Sequence, residues 1–490
     1  MSNREARERA GAIAPPSVAA ETPLFVDLDG TLIHGDVLLE ASFGLLRRNL
    51  LYLLLLPIWL ARGKAHLKQQ IAQRVELDAA NLPFNGPFLE FLRAEHARGR
   101  PLVLATATHR RYAEQVSRLL GIFAGVLATE DALNLSGEVK LQAILAYSRG
   151  RDFEYAANAR RDVAIWRHAR GAVLVNADHR TRTAAARVAS VTAVFERPAS
   201  GWRAYARALR VPHWAKNLLL FVPLLTAHQW GNPDALQQAV LAFAAFCLCA
   251  SGSYLLNDLI DAPFDRQHPR KRMRPLAAGV ISPLSALVLP PILVFAALVI
   301  AAQLPRGFLW VLVGYAGLAA GYSLYLKHRA LVDVLILAGL HTLRVIAGAI
   351  AIEVALSFWL LAFSVFLFFS LAVVKRCSEL RARGGVPEAA LAGRDYRVSD
   401  LPVLRAMGLA SGYVAVLVFA LYIDSADIAA RYSDPQWLWL SCPALLYWIS
   451  HVWIKEGRGE MHDDPLMFAL RDPASYAVLT VLLATVIRAL

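Results

Sequence analysis

Asn257-Asp258-Leu259-Ile260-Asp261-Ala262-Pro263-Phe264-Asp265-Arg266 follows directly on the apolar run 241–256 and leads to Arg274-Pro275-Leu276-Ala277-Ala278-Gly279. Asn257, Asp261 and Asp265 are spaced by four, so a helix carried as far as Pro263 allows sets their oxygens on one face. Oxygen ligands at this density suit Mg²⁺, which binds through one or two carboxylates plus substrate phosphates. Arg266, Arg270, Lys271, Arg272 and Arg274, close behind, suit the remaining phosphate charge. A plain basic loop with acids solvating a helix end has no need of a regular Asn-x3-Asp-x3-Asp stripe.

Working outward, 490 residues exceed one compact core. The apolar excess sits almost wholly after residue 216, which predicts a globular first half and a membrane-embedded second half. The net charge of +13 is accounted for by cytoplasmic loops and by anionic lipid or substrate, so no nucleic-acid partner is expected. Cys247, Cys249, Cys377 and Cys442 have neither metal-site nor disulfide spacing and read as small core residues. Residues 1–20 contain no continuous apolar core; they read as a flexible N-terminus without a signal peptide, on the cytoplasmic side.

In the first half, Leu24-Phe25-Val26-Asp27-Leu28-Asp29-Gly30-Thr31-Leu32 reads as a buried strand ending in two acids and a turn glycine. Further strands are expected at 101–105, around Tyr155, at 171–176 and at 192–195, alternating with helices, which predicts a Rossmann-like α/β domain with a parallel sheet. The Asp-x-Asp-Gly-Thr sequence resembles the first motif of the haloacid dehalogenase (HAD) hydrolases. That resemblance implies Asp27 as nucleophile, Asp29 as general acid and base, Thr106 as a phosphate-binding hydroxyl and Lys140 as the cation that offsets phosphate charge. It also implies Mg²⁺ held by Asp27, Asp29 and an acidic turn. Here the turn reads Ala157-Asn158-Ala159-Arg160-Arg161-Asp162, so Asn158 stands where the family has an acid and Asp162 supplies the second position. A neutral oxygen removes one negative charge from the site and so lowers its metal affinity, leaving a slow phosphatase and an inactive positioning domain as alternatives.

A helical cap is expected at about 37–90 within a domain spanning 21–200. It includes Leu50-Leu51-Tyr52-Leu53-Leu54-Leu55-Leu56-Pro57-Ile58-Trp59-Leu60, too short to span a bilayer. With Arg47, Arg48, Arg62 and Lys64 at its flanks, it fits a membrane-surface helix and a buried cap helix equally.

Residues 201–490 predict an all-α polytopic bundle of about nine transmembrane helices, at about 217–229, 236–256, 284–303, 307–326, 331–351, 356–374, 403–422, 436–454 and 474–490. Basic residues crowd the loops after the second, fourth, sixth and eighth, while Arg306 alone, Glu353, and Asp424 with Asp427 mark the others. The positive-inside rule then sets the N-terminal domain in the cytoplasm and the C-terminus opposite, in a bacterial-type inner membrane.

The aspartate stripe is similar to the first aspartate-rich motif of the UbiA prenyltransferase superfamily. Pro212-His213-Trp214-Ala215-Lys216-Asn217, Tyr322 to His328, Asp333 and the run 343–349 extend the resemblance over about 205–480. It implies a helical bundle with a cavity open to lipid and capped by cytoplasmic loops. Members that prenylate aromatic acceptors use a second Asp-x3-Asp, but Leu337 stands four after Asp333. The pattern instead resembles the decaprenyl-phosphate phosphoribosyltransferase subfamily, which implies phosphoribosyl pyrophosphate (PRPP) as donor and a polyprenyl phosphate lipid as acceptor. On that resemblance Asn257, Asp261 and Asp265 hold Mg²⁺, with Asp258 beside them. Lys216, Arg266, Arg272, Lys327 and Arg344 take phosphate oxygens, and Asp333 completes a metal or ribose contact. The structural alternative for Lys216 and Lys327 is a snorkelling anchor; Arg344, inside a span, points to function. The loop Gly457 to Pro465 also resembles the subfamily and reads as a site cap or a solvated connector.

Two rival functions remain: a prenyltransferase acting on an aromatic ring, and a membrane scaffold or transporter with a degenerate HAD domain. The basic run and the missing second motif weigh against the first. The second lacks clear inverted repeats or polar residues spread through many helices.

Overall fold

The computed structural model describes residues 22–49, 51–130, 133–196, 201–267, 271–382, 394–425, 432–461 and 464–490. The segment 1–20, Leu50, Arg270, Arg383, Asp427, His462 and Asp463 lie outside the described residues. The chain divides into two compact units, Met1–Ala208 with Asp258–Val288, and Leu209–Asn257 with Leu289–Leu490. From Asp258 onward the aspartate-rich segment, read from sequence as part of the membrane domain, therefore groups with the N-terminal unit, while Asn257 stays with the other.

In the first unit β1 (Leu24–Val26), β2 (Leu102–His109), β3 (Gly125–Thr129), β4 (Glu154–Ala157), β5 (Gly171–Val175) and β6 (Ser190–Phe195) form one parallel sheet in the order β3-β2-β1-β4-β5-β6. Phe25 lies opposite Val103 on one side and Tyr155 on the other. Side chains alternate across the sheet. Leu24, Val26 and Leu104 enter one core, and Phe25, Val103 and Tyr155 another. Burial on both faces is why these strands read as unbroken apolar runs. Strand order reverses at β1, so the carboxyl ends of β1, β2 and β4 frame the crevice in which sheets of this kind bind ligands.

Between β1 and β2 lie the cap helices α1 (Val37–Arg48), α2 (Tyr52–Ala61) and α3 (Lys64–Arg74), followed by α4 (Gly86–Ala97). The Asp36 carboxylate starts α1 by accepting from Leu39 N at 3.0 Å. Val37, Ala41, Leu45, Trp59 and Ile71 join the Leu24 face of the sheet. One side of α2 is covered, with Trp59 buried and Tyr52 and Leu56 packed on the core, while Leu54 and Ile58 are exposed. The remaining helices of the sheet domain include α5 (Arg110–Leu120), α6 (Glu138–Ser148) and α7 (His179–Ala186), and α6 adds Leu141 and Ile144 to the Phe25 face.

Six helices among the described residues are long and apolar enough to cross a membrane, where hydropathy alone suggests nine. They are α8 (Pro233–Gln267), α9 (Pro283–Ala301), α10 (Arg306–Leu324), α11 (Val332–Ala351), α12 (Phe358–Arg381) and α13 (Leu401–Ile423). The span expected at 217–229 is a 3₁₀ helix, Val211–Phe221, passing into a short helix, Val222–Thr226, with Pro212 and Pro223 each at a start position. Two further helices fall short. Of these, α14 (Ser441–Arg458) carries His451, Lys455, Glu456 and Arg458, and α15 (Pro473–Ala489) has 17 residues. Pro263 does not end α8, which continues to Gln267. In the second unit Gly348 lets α11 approach the backbone of Leu220 so closely that an added Cβ would collide with it. That approach brings Arg344, one turn earlier, against Asn217.

Candidate active sites

In the sheet domain the four sequence motifs converge. Asp27, 2% exposed, lies just past β1. From α6, buried Lys140 donates through Nζ to Asp27 Oδ1 and to the Tyr155 hydroxyl, each at 3.0 Å. The Tyr155 hydroxyl donates to Asp162 Oδ1 at 3.2 Å, and Ala159 N donates to Asp162 Oδ2 at 3.2 Å. Thr106, fully buried on β2, accepts from Thr108 N at 3.1 Å. Thr108 then donates its hydroxyl to Asp29 Oδ2 at 2.6 Å, and Val37 N donates to Asp29 Oδ1 at 2.9 Å. Asp29 is thus held jointly by β2 and by the first turn of the cap.

Electrostatics separate the acids. Enclosure by the protein, then Asp36 and lastly Asp27, push Asp29 up to about 7, against the bonds from Thr108 and Val37. A carboxyl near neutrality can both give and take a proton. Burial and then Asp27 push Asp162 up to about 6.

Asn158 follows β4 and abuts Gly30, whose φ of 73° is left-handed and whose missing Cβ leaves room for the Asn158 amide. The buried Asn158 Oδ1 has no hydrogen-bond partner. An orphaned buried oxygen costs roughly 1–3 kcal/mol, so the atom fits a cation ligand. With the Asp27 carboxylate it suits Mg²⁺, at one charge fewer than two acids would supply. Among the described residues no three His, Cys, Asp or Glu side chains gather as a ready-made cage.

Sequence reading missed Lys68 on α3. Its Nζ donates to Ala107 O at 2.6 Å and to Asn134 Oδ1 at 2.7 Å. Burial lowers its pKa, and Asp29 and then Asp36 oppose that shift. It was hidden because a lysine in a cap helix has no motif around it.

On α8, Asp258, Asp261 and Asp265 follow i, i+3, i+7 spacing and share a face. Arg274 joins two of them, reaching Asp258 Oδ1 at 3.1 Å and Asp265 Oδ2 at 2.6 Å. Arg266, expected on substrate phosphate, instead makes a two-pronged pair with Glu40 of α1, at 2.8 and 3.0 Å, and donates to Asn81 O at 3.2 Å. Its fork is already filled, and with it the geometry that favours arginine on phosphate. Arg272 lies in the short turn Lys271–Met273 and is exposed.

In the second unit Lys327 Nζ donates to Asn257 Oδ1 at 3.3 Å. Lys216 is buried and pairs with Asp464 Oδ2 at 2.7 Å, and Lys375 reaches the same oxygen at 3.3 Å. Burial alone would raise the Asp464 pKa, but Lys216 and then Lys375 hold it well below the usual carboxylate range. The loop ending at Pro465 thus brings an acid to two cations, one of them Lys375, unremarkable in sequence because it sits where a snorkelling lysine would. Arg344 donates through Nε to Asn217 Oδ1 and through Nη2 to the Tyr315 hydroxyl, both at 2.8 Å. His341 Nδ1 lies 3.4 Å from Arg344 Nη1.

Asp333, expected on metal or ribose, is fully buried within protein partners. Its Oδ2 pairs with Arg376 at 2.6 Å and Arg394 at 3.0 Å, and its Oδ1 accepts from the Tyr396 hydroxyl at 2.6 Å. Both oxygens are taken up in holding α11 to α12 and to the segment at 394–396.

The UbiA prenyltransferase family model matches residues 218–471 and the haloacid dehalogenase-like hydrolase model matches residues 24–181. Uncharacterized protein y4nM of Sinorhizobium fredii is 33% identical over 93% of this chain and 89% of its own length. Nodulation protein NoeC of Azorhizobium caulinodans is 36% identical over 55% of this chain and 88% of its own. Decaprenyl-phosphate phosphoribosyltransferase of Mycolicibacterium smegmatis is 37% identical over 36% of this chain and 56% of its own. A UbiA homolog from Archaeoglobus fulgidus bound to GPP and Mg²⁺ aligns with TM-score 0.46 and 18% identity, covering 58% of this chain and 99% of that one. A family match over more than half the chain and a full-length relative at one-third identity lead to one conclusion: this multi-pass membrane protein belongs to the UbiA prenyltransferase family and carries an N-terminal HAD-like domain.

Proposed function

We propose that the chain transfers 5-phosphoribose from PRPP to a polyprenyl phosphate such as decaprenyl phosphate, and that its HAD domain then removes the 5-phosphate. The observation that carries this reading is the family's aspartate stripe on α8 combined with an Asp333 committed to arginines, so that no second aspartate-rich motif is free for a prenyl diphosphate. Likeness to phosphoribosyltransferases over the same region supports it.

In the transfer an oxygen of the lipid phosphate attacks the anomeric carbon of the ribose. The bond from that carbon to the pyrophosphate oxygen breaks, and pyrophosphate leaves with the electron pair. Asn257, Asp261 and Asp265, with Asp258 beside them, would hold Mg²⁺, which neutralises charge on the leaving pyrophosphate. Lys216, Lys327 and Arg344 take phosphate oxygens, while Asp464 and Lys375 position Lys216. Arg266 and Asp333 act as positioning residues through Glu40 and Arg376. Catalysis is mostly orientation and charge stabilisation.

In the HAD domain Asp27 attacks phosphorus and the bond to the ribose 5-oxygen breaks as Asp29 donates a proton to that oxygen. Asp29 then takes a proton from the water that cleaves the aspartyl-phosphate. Lys140 and Thr106 bind the phosphoryl oxygens, and Asp27, Asp29, Asn158 and Asp162 form the Mg²⁺ environment. The N-terminal domain is assigned to the cytoplasmic face of the inner membrane, where PRPP is at hand.

The test is incubation of the purified full chain in detergent with Mg²⁺, radiolabelled PRPP and decaprenyl phosphate, with the lipid product identified by mass. A ribosylated lipid without 5-phosphate is expected. Absence of any ribosylated lipid, with product formed instead from a prenyl diphosphate and an aromatic acceptor, would overturn the reading.

A further inference from the structure

We propose that the outer face of α2, with the cations at its ends, is a membrane-docking surface that seats the cap in the headgroup region of an anionic phospholipid bilayer. The helix Tyr-Leu-Leu-Leu-Leu-Pro-Ile-Trp-Leu-Ala is apolar around its whole circumference. Such a helix belongs in a fully buried setting. Only one side is covered: Trp59 is 7% exposed, with Tyr52 and Leu56 beside it against the core. Leu51, Leu54 and Ile58 on the opposite side are 66%, 69% and 51% exposed. A contiguous apolar patch of this kind marks an interaction site.

The chemistry of its surroundings selects the occupant. No acid stands in the first turn of α2, and Arg48, Arg62 and Lys64 at its two ends are exposed. Leucines ringed by cations match acyl chains beneath anionic headgroups. Ten residues of helix reach about 15 Å, half the hydrocarbon thickness, so α2 lies in the interface plane.

The bilayer is also within reach. The same compact unit contains the end of α8 and the start of α9, where Leu284 and Val288 are 68% and 45% exposed on a membrane-spanning helix. Glu40 of α1 grips Arg266 of α8 with two bonds, so the helix leading into α2 is fastened to a span. His34, just before the cap, packs on Gly279, where an added Cβ would meet its ring. The consequence, that the HAD cleft is held beside a lipid-borne phosphate ester, rests on the proposed function; the lipid contact itself does not.

The test uses the full chain with its four cysteines replaced by alanine, carrying Leu54→Cys labelled with an environment-sensitive fluorophore. It is reconstituted in phosphatidylglycerol–phosphatidylethanolamine vesicles whose acyl chains carry bromine. A control label goes on exposed Gln142, replaced by Cys, on α6 across the sheet from the cap. Quenching several-fold stronger at 54 than at 142 is expected, reduced by Arg62→Glu with Lys64→Glu. Equal, weak quenching at both positions would overturn the proposal. So would shielding at 54 that appears equally in detergent and fades on protein dilution, which assigns the face to a second copy of the chain. Strong quenching at 54 alongside a failed transferase assay would leave the docking surface standing and remove only the proposed reaction.

Discussion

Replacing Lys140 by Met tests whether the Asp27–Lys140 pair holds the cleft of the HAD-like domain together. The two charges meet at 3.0 Å with side chains 4% and 3% exposed, so almost no solvent screens them. Removing one partner of a buried pair leaves an uncompensated charge and costs roughly 3–5 kcal/mol, whereas removing both is far milder. For a unit of this size each kcal/mol moves the unfolding midpoint by about 2–4 °C, so Lys140→Met should lower it by roughly 6–20 °C. Pulsed proteolysis of the full chain across a temperature series reads this on loss of the N-terminal unit. In the double variant Lys140→Met with Asp27→Asn, stability should recover by about 2–3 kcal/mol relative to the sum of the single changes. Single changes that simply add, or a Lys140→Met midpoint within about 2 °C of the parent, would refute the reasoning and leave Lys140 a substrate ligand without a structural role.

The remaining predictions concern the two chemistries. Asp27→Asn should leave transfer intact and yield a lipid product that keeps its 5-phosphate, read by mass; loss of transfer as well would show that the two sites are not independent. Asp261→Asn should abolish transfer, read as loss of the lipid product, because an amide cannot replace a carboxylate on Mg²⁺; retained product would remove it from the metal site. Arg344→Lys should cut transfer at least tenfold, because one ammonium cannot reproduce the fork that meets both Asn217 and Tyr315; equal rates would assign Arg344 to packing. Asp29 has its folded pKa raised from 3.8 to about 7, so the folded state binds its proton more tightly and stability from this group is lost as pH rises between those values. Relative to Asp29→Asn, the parent's unfolding midpoint should therefore fall from pH 4 to pH 7, and a constant difference would show that Asp29 ionises normally.

The chain itself determined both family memberships, because each is written in a short run. Asp-x-Asp-Gly-Thr after an apolar strand and Asn-x3-Asp-x3-Asp at the end of an apolar helix are local patterns, and strand and helix periodicity place their side chains without knowledge of the rest. The doubly covered sheet was legible for the same reason: β1, the 102–105 stretch of β2 and β5 are unbroken apolar runs, as burial on both faces requires. Hydropathy was less faithful where polarity and proline intervene, so 217–229 and 436–454 read as spans, but the helices found there, Val211–Phe221 with Val222–Thr226 and Ser441–Arg458, are too short or too polar. What only the tertiary structure decided is how the charges are shared. Arg266 goes to Glu40 across 226 residues, Asp333 to Arg376 and Arg394, and Asp464 to Lys216 across 248. A motif shows that a residue carries charge; it cannot show which opposite charge the fold brings within 3 Å. At that separation in a buried setting the partner decides whether the group meets substrate or holds two elements together.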